Sequence, residues 1–213
     1  MDSNVQWHCD TWGKKAVAAL EKNNFAAAYF PDTSSAMEHL FSLVADGCTV
    51  GLGGSVTGYQ LQIRERLRQK NCTLFDHQQP GLSKEEVLMM RRNQLTCNVF
   101  ISGTNALTLQ GELVNVDGIG NRVGAMIFGP DKVIIITGVN KIVRDLDAAT
   151  KRIKDIAAPC NSQRLNLPTP CTKTGQCVDC QSDRRICNVT TIMHKRPVLT
   201  EMHVIIIGEA LGY

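Results

Sequence analysis

The sequence lacks the features that mark membrane, secreted and nucleic-acid-binding proteins. Its longest apolar run, Val133–Thr137, is far shorter than the roughly 20 residues that a transmembrane helix needs. No charged segment followed by an apolar run opens the chain, so no signal peptide is predicted. Lys and Arg form no long run and the net charge is only +3, which does not indicate a nucleic-acid surface. We therefore expect a soluble, cytoplasmic protein.

The composition is ordinary for a globular protein. The chain has 213 residues, of which 43% are hydrophobic and 20% are charged, a balance that supports a well-formed core. No internal repeat and no linker divides the chain. We predict one α/β domain over residues 1–213.

Apolar segments of strand length alternate with segments that carry helix signals. The predicted strands are Ala26–Phe30, Cys48–Leu52, Cys72–Asp76, Cys97–Ser102, Glu112–Val116, Lys132–Thr137 and His203–Gly208. The predicted helices are Asp10–Asn23, Ser35–Ala45, a segment from Ser55 to Lys70, a segment from Ser83 to Gln94 that opens with a capping box, and Asp145–Ile156. Several strands are apolar on both faces, which indicates a mostly parallel sheet covered by helices.

Four of the nine cysteines lie close together near the end of the chain: Cys171, Cys177, Cys180 and Cys187. The residues between them are small, polar and turn-prone, so we predict a cysteine loop over residues 170–188 before the final strand. Four convergent thiolates are costly without a cation to neutralise them. Metal or iron–sulfur binding is therefore the first hypothesis for this loop.

Several states of these thiols remain open. An odd number of cysteines argues against complete disulfide pairing, and no oxidising compartment is indicated. A structural zinc site usually shows two Cys-x2-Cys pairs, whereas only Cys177 and Cys180 form one here. A [4Fe-4S] cluster tolerates irregular spacing and is the main prediction. Zinc is the alternative, followed by free or disulfide-bonded thiols.

A glycine-rich segment, Gly51–Thr57, connects a predicted strand to a predicted helix. Glycines let backbone amides approach an anion, and ligands of open α/β sheets gather at the carboxyl ends of the strands. Gly53, Gly54, Ser55 and Thr57 are therefore predicted to bind a phosphate or carboxylate. The alternative is a tight turn without a ligand.

A second segment, Ser102–Arg122, is dense in Gly, Asn and Thr. Glu112 and Asp117 flank a short apolar stretch and are candidates for a base or a nucleophile. Arg122 is a candidate for holding an anion, although it could instead pair with Asp117. The predicted substrate-binding residues of this segment are Thr104, Asn105, Asn121 and Arg122.

A third segment, Thr137–Lys141, follows the most apolar strand. Lys141 is expected to reach the same edge of the sheet as the glycine segment. There it could bind an anionic group or stabilise an enolate, with Asn140 as a binding residue. The alternative is a surface lysine after a turn.

These motifs together resemble the lactate-utilization (LUD, formerly DUF162) domain family. The resemblance lies in the segments Gly51–Thr57, Ser102–Thr108, Gly111–Arg122, Phe128–Pro130, Gly138–Lys141, Pro170–Asn188 and Leu211–Tyr213. It implies a fold like that of ribose-5-phosphate isomerases and CoA transferases, with Glu112 near the position of the nucleophilic glutamate of CoA transferases. It also implies a role beside iron–sulfur oxidoreductase subunits that convert L-lactate to pyruvate.

Three functional hypotheses follow. The first is a protein of small hydroxy- or keto-acid metabolism that binds an anionic small molecule and carries a [4Fe-4S] cluster. The second is a cluster-independent isomerase or acyl- or CoA-transfer enzyme, with Glu112 or Asp117 as the reacting group and a structural metal in the cysteine loop. The third is a non-catalytic assembly or regulatory partner with a redox-sensitive cluster. A homodimer is compatible with each of them.

Overall fold

The structure is a computed structural model that describes residues 2–213. Its centre is a parallel sheet of six strands in the order β1-β10-β7-β4-β2-β3. The strands are β1 Ala26–Phe30, β2 Thr49–Leu52, β3 Thr73–Phe75, β4 Val99–Gly103, β7 Lys132–Gly138 and β10 Glu201–Ile207. The prediction of a mostly parallel sheet covered by helices is confirmed.

A second sheet packs beside the first and was not predicted. It has the order β8-β5-β6-β9 and mixes parallel and antiparallel pairs. Its strands are β5 Ala106–Thr108, β6 Leu113–Asp117, β8 Ile142–Val143 and β9 Val189–Met193. Glu112 immediately precedes β6 and Asp117 ends it, so the two acids stand at opposite ends of this strand, as the sequence indicated.

Helices cover both faces of the parallel sheet. They are α1 Ser3–Lys22, α2 Thr33–Ser42, α3 Val56–Gln60, α4 Ile63–Gln69, α5 Lys84–Asn93, α6 Asn121–Ile127, α7 Leu146–Arg152, α8 Ala158–Arg164 and α9 Cys171–Thr174. A 3-10 turn covers Val139–Lys141, and a π-helical turn, Ile153–Ala157, joins α7 to α8. Within residues 2–213, no helix has both the length and the apolar character to cross a membrane.

The alternating side chains of β7 show how the core is divided. Val133 and Ile135 belong to a cluster with residues of α1, α6 and the second sheet. Ile134 and Ile136 belong to a cluster with residues of α2 and α4 on the opposite face. All four are buried, because β7 lies inside the sheet with helices on both of its faces.

Several predicted boundaries were wrong for local reasons. Helix α1 begins at Ser3 because Asp2 caps it, whereas Asp10 lies inside the helix and accepts a hydrogen bond from the Tyr29 hydroxyl at 2.6 Å. The helix predicted from Ser55 to Lys70 is two helices, because Gln62 has the left-handed φ of 52°. The cysteine loop starts with the short helix α9, and β9 separates it from the final strand.

Candidate functional site

A cleft of about 300 Å³ lies at the carboxyl edge of the parallel sheet. We call it the central cleft. The ends of β2, β3, β4 and β7 contribute to it, together with the β6–α6 connection, α8 and Tyr213. Its lining includes charged and titratable side chains: His77, Arg91, Asp117, Arg122, Lys141 and Arg164. Four of these are basic and one is a carboxylate, so basic groups outnumber acidic ones in the lining of the cleft.

Very small residues bring the loops of the cleft together. Gly54 has the left-handed φ of 69°, which turns the chain after β2. Gly103 ends β4 against the same turn, since a Cβ atom at this position would lie 2.7 Å from Oγ of Ser55. Ser55 is also the N-cap of α3 and accepts from the Gly58 amide. The glycines thus let two strand ends meet at the floor of the cleft.

Lys141 provides a buried amine in this cleft. Only 3% of the residue is exposed. Its Nζ lies 3.1 Å from Oγ1 of Thr57. Within residues 2–213, Lys141 forms no salt bridge with a carboxylate. Burial, with the positive charges of Arg152 and Arg122, lowers the pKa of Lys141 to about 7.

Arg152 of α7 adds a second buried cation behind Lys141. Its Nε donates to the carbonyl of Asn140 at 3.1 Å, and its Nη1 donates to the carbonyl of Asn105 at 2.7 Å. Burial lowers the pKa of this guanidinium. The two carbonyls hold Arg152 in place without neutralising its charge, and this charge acts on Lys141.

Arg122, in contrast, is neutralised within the structure. It pairs with Asp117 at 2.7 Å and donates to side-chain oxygens of Asn115 and Asn105 at 2.7 and 3.0 Å. Asp117 also accepts from the backbone N–H of Val123. The pairing of Arg122 with Asp117 that the sequence left open is thus present, and both groups act as a rigid wall of the cleft.

The four clustered cysteines line a separate, small cavity of about 10 Å³. Within residues 2–213, neither these nor the other five cysteines form a disulfide bond. Arg185 lies among them and donates to the carbonyls of Cys180 and Cys187 at 2.7 and 3.2 Å. Within residues 2–213, no three His, Cys, Asp or Glu side chains form a group that could hold a metal ion.

The cysteine loop is attached to the wall of the central cleft. Ile186 lines both the thiol cavity and the cleft. A Cβ atom at Gly118 would lie 3.0 Å from Cα of Ile186, so the two backbones are in close contact. Asn188 donates to the carbonyls of Asp117 and Gly118. The thiols are therefore one residue layer away from the cleft.

With this geometry in view, comparison with protein families gives one match. A family model described as the LUD domain matches residues 13–207. The chain belongs to the LUD domain family. A comparison with curated proteins gives no match.

Solved structures resemble this LUD domain at low sequence identity. A DUF162 family protein from Deinococcus radiodurans is 11% identical over 95% of this chain and 98% of that chain, with a TM-score of 0.48. Ribose 5-phosphate isomerase from Plasmodium falciparum is 19% identical over 53% of this chain and 52% of that chain, with a TM-score of 0.32.

Most of the predicted binding residues lie at the central cleft of the LUD domain. Those that line it are Gly53, Gly54, Ser55, Thr104, Asn105, Asn121 and Arg122. Thr57 lies beneath them as the partner of Lys141. Asn140 is engaged elsewhere, because its side chain bonds the backbone of Leu211 and Gly212.

Glu112 lies outside the central cleft. Its carboxylate contacts His194 at 2.9 Å and accepts from Thr108 at 3.0 Å. It therefore does not join Lys141 and Asp117, and its predicted catalytic role gains no support from this arrangement.

Arg91 and His77 line the cleft of the LUD domain but were not among the predicted site residues. Arg91 is half-buried on α5, and its Nε is buried without a hydrogen-bond partner. His77 follows the end of β3, and burial and the charge of Arg91 lower its pKa. The position of His77 after a strand end was a usable signal. The sequence contains no signal that singles out Arg91. Arg92 is its neighbour, and only the folded structure shows that Arg91 and not Arg92 lines the cleft.

Proposed function

We propose that this LUD domain binds a small organic anion in the central cleft and serves small hydroxy- or keto-acid metabolism of the lactate type. One observation carries the proposal: a buried lysine amine, with Thr57 as its side-chain partner, in a cleft that three arginines and one carboxylate also line. Burying a cation without a counter-charge is costly. A bound anion would supply the missing counter-charge and so remove that cost.

Lys141 has the chemistry to act on such a ligand. Since its pKa is about 7, the amine exchanges a proton easily near neutral pH. An anion beside it would raise that pKa and favour the ammonium form. The ammonium could then hold a carboxylate, or stabilise negative charge that develops on an oxygen of a hydroxy or keto acid. Asp117 supports this site indirectly by fixing Arg122.

The proposal includes a [4Fe-4S] cluster on Cys171, Cys177, Cys180 and Cys187. The donor set fits, because such a cluster takes one thiolate per iron and the four thiols line one cavity. The guanidinium of Arg185 lies among them and suits a group of negative charge. Zinc is the alternative, and because no three His, Cys, Asp or Glu side chains within residues 2–213 are grouped to hold a metal ion, either metal would require the thiols to move closer together. When bound, a cluster supplies one-electron transfer.

The proposed partners are iron–sulfur oxidoreductase subunits. Conversion of a hydroxy acid to a keto acid removes two electrons and two protons, and the electrons need an acceptor. A single residue, Ile186, lines both the thiol cavity and the cleft. This proximity supports a common role for the two sites.

Anion binding is tested by titration calorimetry with glycerate as the probe. The Lys141→Met variant should bind glycerate at least about tenfold more weakly than the unmodified protein, because a charge-assisted hydrogen bond is lost. The control is Lys151→Met, which removes an exposed lysine from α7. Equal binding by the Lys141 variant would overturn the proposal.

The cluster is tested by anaerobic purification with iron and sulfide analysis. We expect about four irons and four sulfides per chain, and their loss in Cys180→Ser. The control is Cys160→Ser, which changes an exposed thiol outside the loop. An iron-free protein that retains full anion binding and activity would eliminate the cluster role.

A further inference from the structure

The central cleft offers more room and more charge than a three-carbon acid needs. Its volume of about 300 Å³ lies at the lower end of the range typical for drug-sized ligands. A single carboxylate would also leave most of the cationic lining uncompensated. The basic side chains are also spread along the edge of the sheet: Lys141 follows β7 and His77 follows β3, and strands β4 and β2 lie between these two strands.

Arg91 forms a second cationic pole of the cleft. It lines the cleft from α5, is half-buried, and has a buried Nε without a hydrogen-bond partner. Within residues 2–213 it forms no salt bridge. A half-buried guanidinium without an acceptor is costly unless a ligand supplies one.

His77 adds a donor beside Arg91, and its tautomer follows from Gln94. The amide nitrogen of Gln94 donates to the carbonyls of Leu52 and Phe75 at 3.0 and 2.9 Å, which fixes the orientation of that amide. The same nitrogen lies 2.9 Å from Nδ1 of His77. An amide nitrogen accepts no hydrogen bond, so a hydrogen on Nδ1 would point at a group that cannot receive it, and the neutral ring carries its hydrogen on Nε2. Its N–H donor is left available at a residue that lines the cleft.

We propose that Arg91 and His77 form a second anion subsite, so that the ligand of the central cleft carries two separated anionic groups. One group binds at Lys141 and the other, a carboxylate or a phosphate, binds at Arg91 and Nε2–H of His77. The ligand class is thus a dicarboxylic or phosphorylated hydroxy or keto acid. This inference rests on the proposed function and narrows its substrate class.

Matched probe pairs test the inference by titration calorimetry. The first pair is 2-hydroxybutanoate and malate, which differ by a second carboxylate. The second pair is glycerate and 3-phosphoglycerate, which differ by a phosphate. The unmodified protein should bind at least one dianionic probe roughly 10- to 100-fold more tightly than its monoanionic partner, the effect expected of charge-assisted hydrogen bonds. The pair with the larger ratio identifies the second group.

Variants separate the two poles. Arg91→Gln should remove the preference for the dianion and leave binding of the monoanion unchanged, whereas Arg91→Lys should keep part of the preference. Lys141→Met should weaken every probe. The control is Arg92→Gln, which changes the exposed neighbour on α5. If Lys141→Met acts but Arg91→Gln does not, the second subsite is refuted and the anion-binding function stands. Binding of none of the four probes overturns both.

A second readout is the NMR titration of His77. Its charged neighbours are Arg91, Asp76 and Asp117. An anion bound at the second subsite adds negative charge and should raise the His77 pKa. Malate or 3-phosphoglycerate should produce this rise, and the monoanionic partner of each should not. A similar rise with both members of a pair would contradict the assignment.

Discussion

Nζ of Lys141 lies 3.1 Å from Oγ1 of Thr57, with both residues buried. This hydroxyl satisfies one donor of the amine but offers no counter-charge. The folded protein thus holds the lysine in an environment that favours its neutral form, and its stability should depend on pH in a defined direction.

Replacing Lys141 with Met should change the pH dependence of stability. The lysine pKa is about 7 in the folded protein, below its ordinary value of 10.5. Between these values the unfolded chain binds the proton and the folded chain does not. Stability therefore rises with pH through this window, by up to about 1.4 kcal/mol per pH unit, and the full cost of the lysine is present below pH 7.

The measurement is the free energy of unfolding in urea at several values between pH 6 and pH 10. Lys141→Met should gain most over the unmodified protein at the low end, and this advantage should shrink as the pH rises. Lys151→Met serves as the exposed control and should show a constant difference. A pH-independent difference for Lys141→Met would contradict the burial argument.

Replacing Arg122 with Gln should strongly destabilise the fold. The change leaves Asp117 buried without its partner at 2.7 Å, and breaking a buried ion pair costs about 3–5 kcal/mol. The comparison is Lys70→Gln, which breaks the more exposed pair with Asp46 and should cost less than about 1 kcal/mol. Urea unfolding of the two variants gives both values. Similar losses would mean that the Arg122 pair is not specially buried.

Replacing Arg185 with Gln should loosen the cysteine loop. Arg185 ties the loop together through the carbonyls of Cys180 and Cys187 and through Asp179 at 2.8 Å. Hydrogen exchange of the loop amides in the metal-free protein should therefore accelerate, while exchange in β7 stays unchanged. Arg184→Gln is the matched control, because this neighbour is exposed. Equal exchange in both variants would show that Arg185 does not organise the loop.

Replacing Gly118 with Ala should disturb the contact between the two sites. The added Cβ would lie 3.0 Å from Cα of Ile186, so the cysteine loop must move away from the cleft wall. Overpacking of this kind costs about 1–3 kcal/mol and should lower the melting temperature by several degrees. At Gly124, in contrast, a Cβ would meet its nearest atom at 3.6 Å. Gly124→Ala should therefore leave the melting temperature unchanged or raise it slightly, because Ala is the better helix former at this position of α6.

The parallel sheet could be predicted because its strands carry apolar residues on both faces. Lys132–Thr137 was predicted as a strand, and β7 extends only one residue further. Of the second sheet, only β6 was predicted, as the strand Glu112–Val116, because β5 with three residues and β8 with two are too short to show a period. Their pairing depends on tertiary contacts rather than on local sequence.

The cleft could be predicted in part because parallel strands end at one edge of the sheet. This rule led to Gly53, Ser55 and Lys141, all of which line the cleft. It could not decide between Glu112 and Asp117. The two lie at opposite ends of β6, and a strand rises about 3.3 Å per residue, so only one end can be at the cleft. The register of the second sheet places the Asp117 end of β6, and not the Glu112 end, at the cleft.

The cleft around Lys141 can be completed only after Gly212 has been synthesised. Gly212 packs closely against Thr57 and Lys141, since a Cβ atom added to this glycine would lie 2.6 Å from Oγ1 and 3.1 Å from Nζ. Its amide donates to Gln60 at 2.7 Å. A ribosome adds Gly212 long after Thr57, so a nascent chain cannot assemble the complete cleft. The anion binding that we propose for Lys141 therefore requires a chain that extends past Gly212.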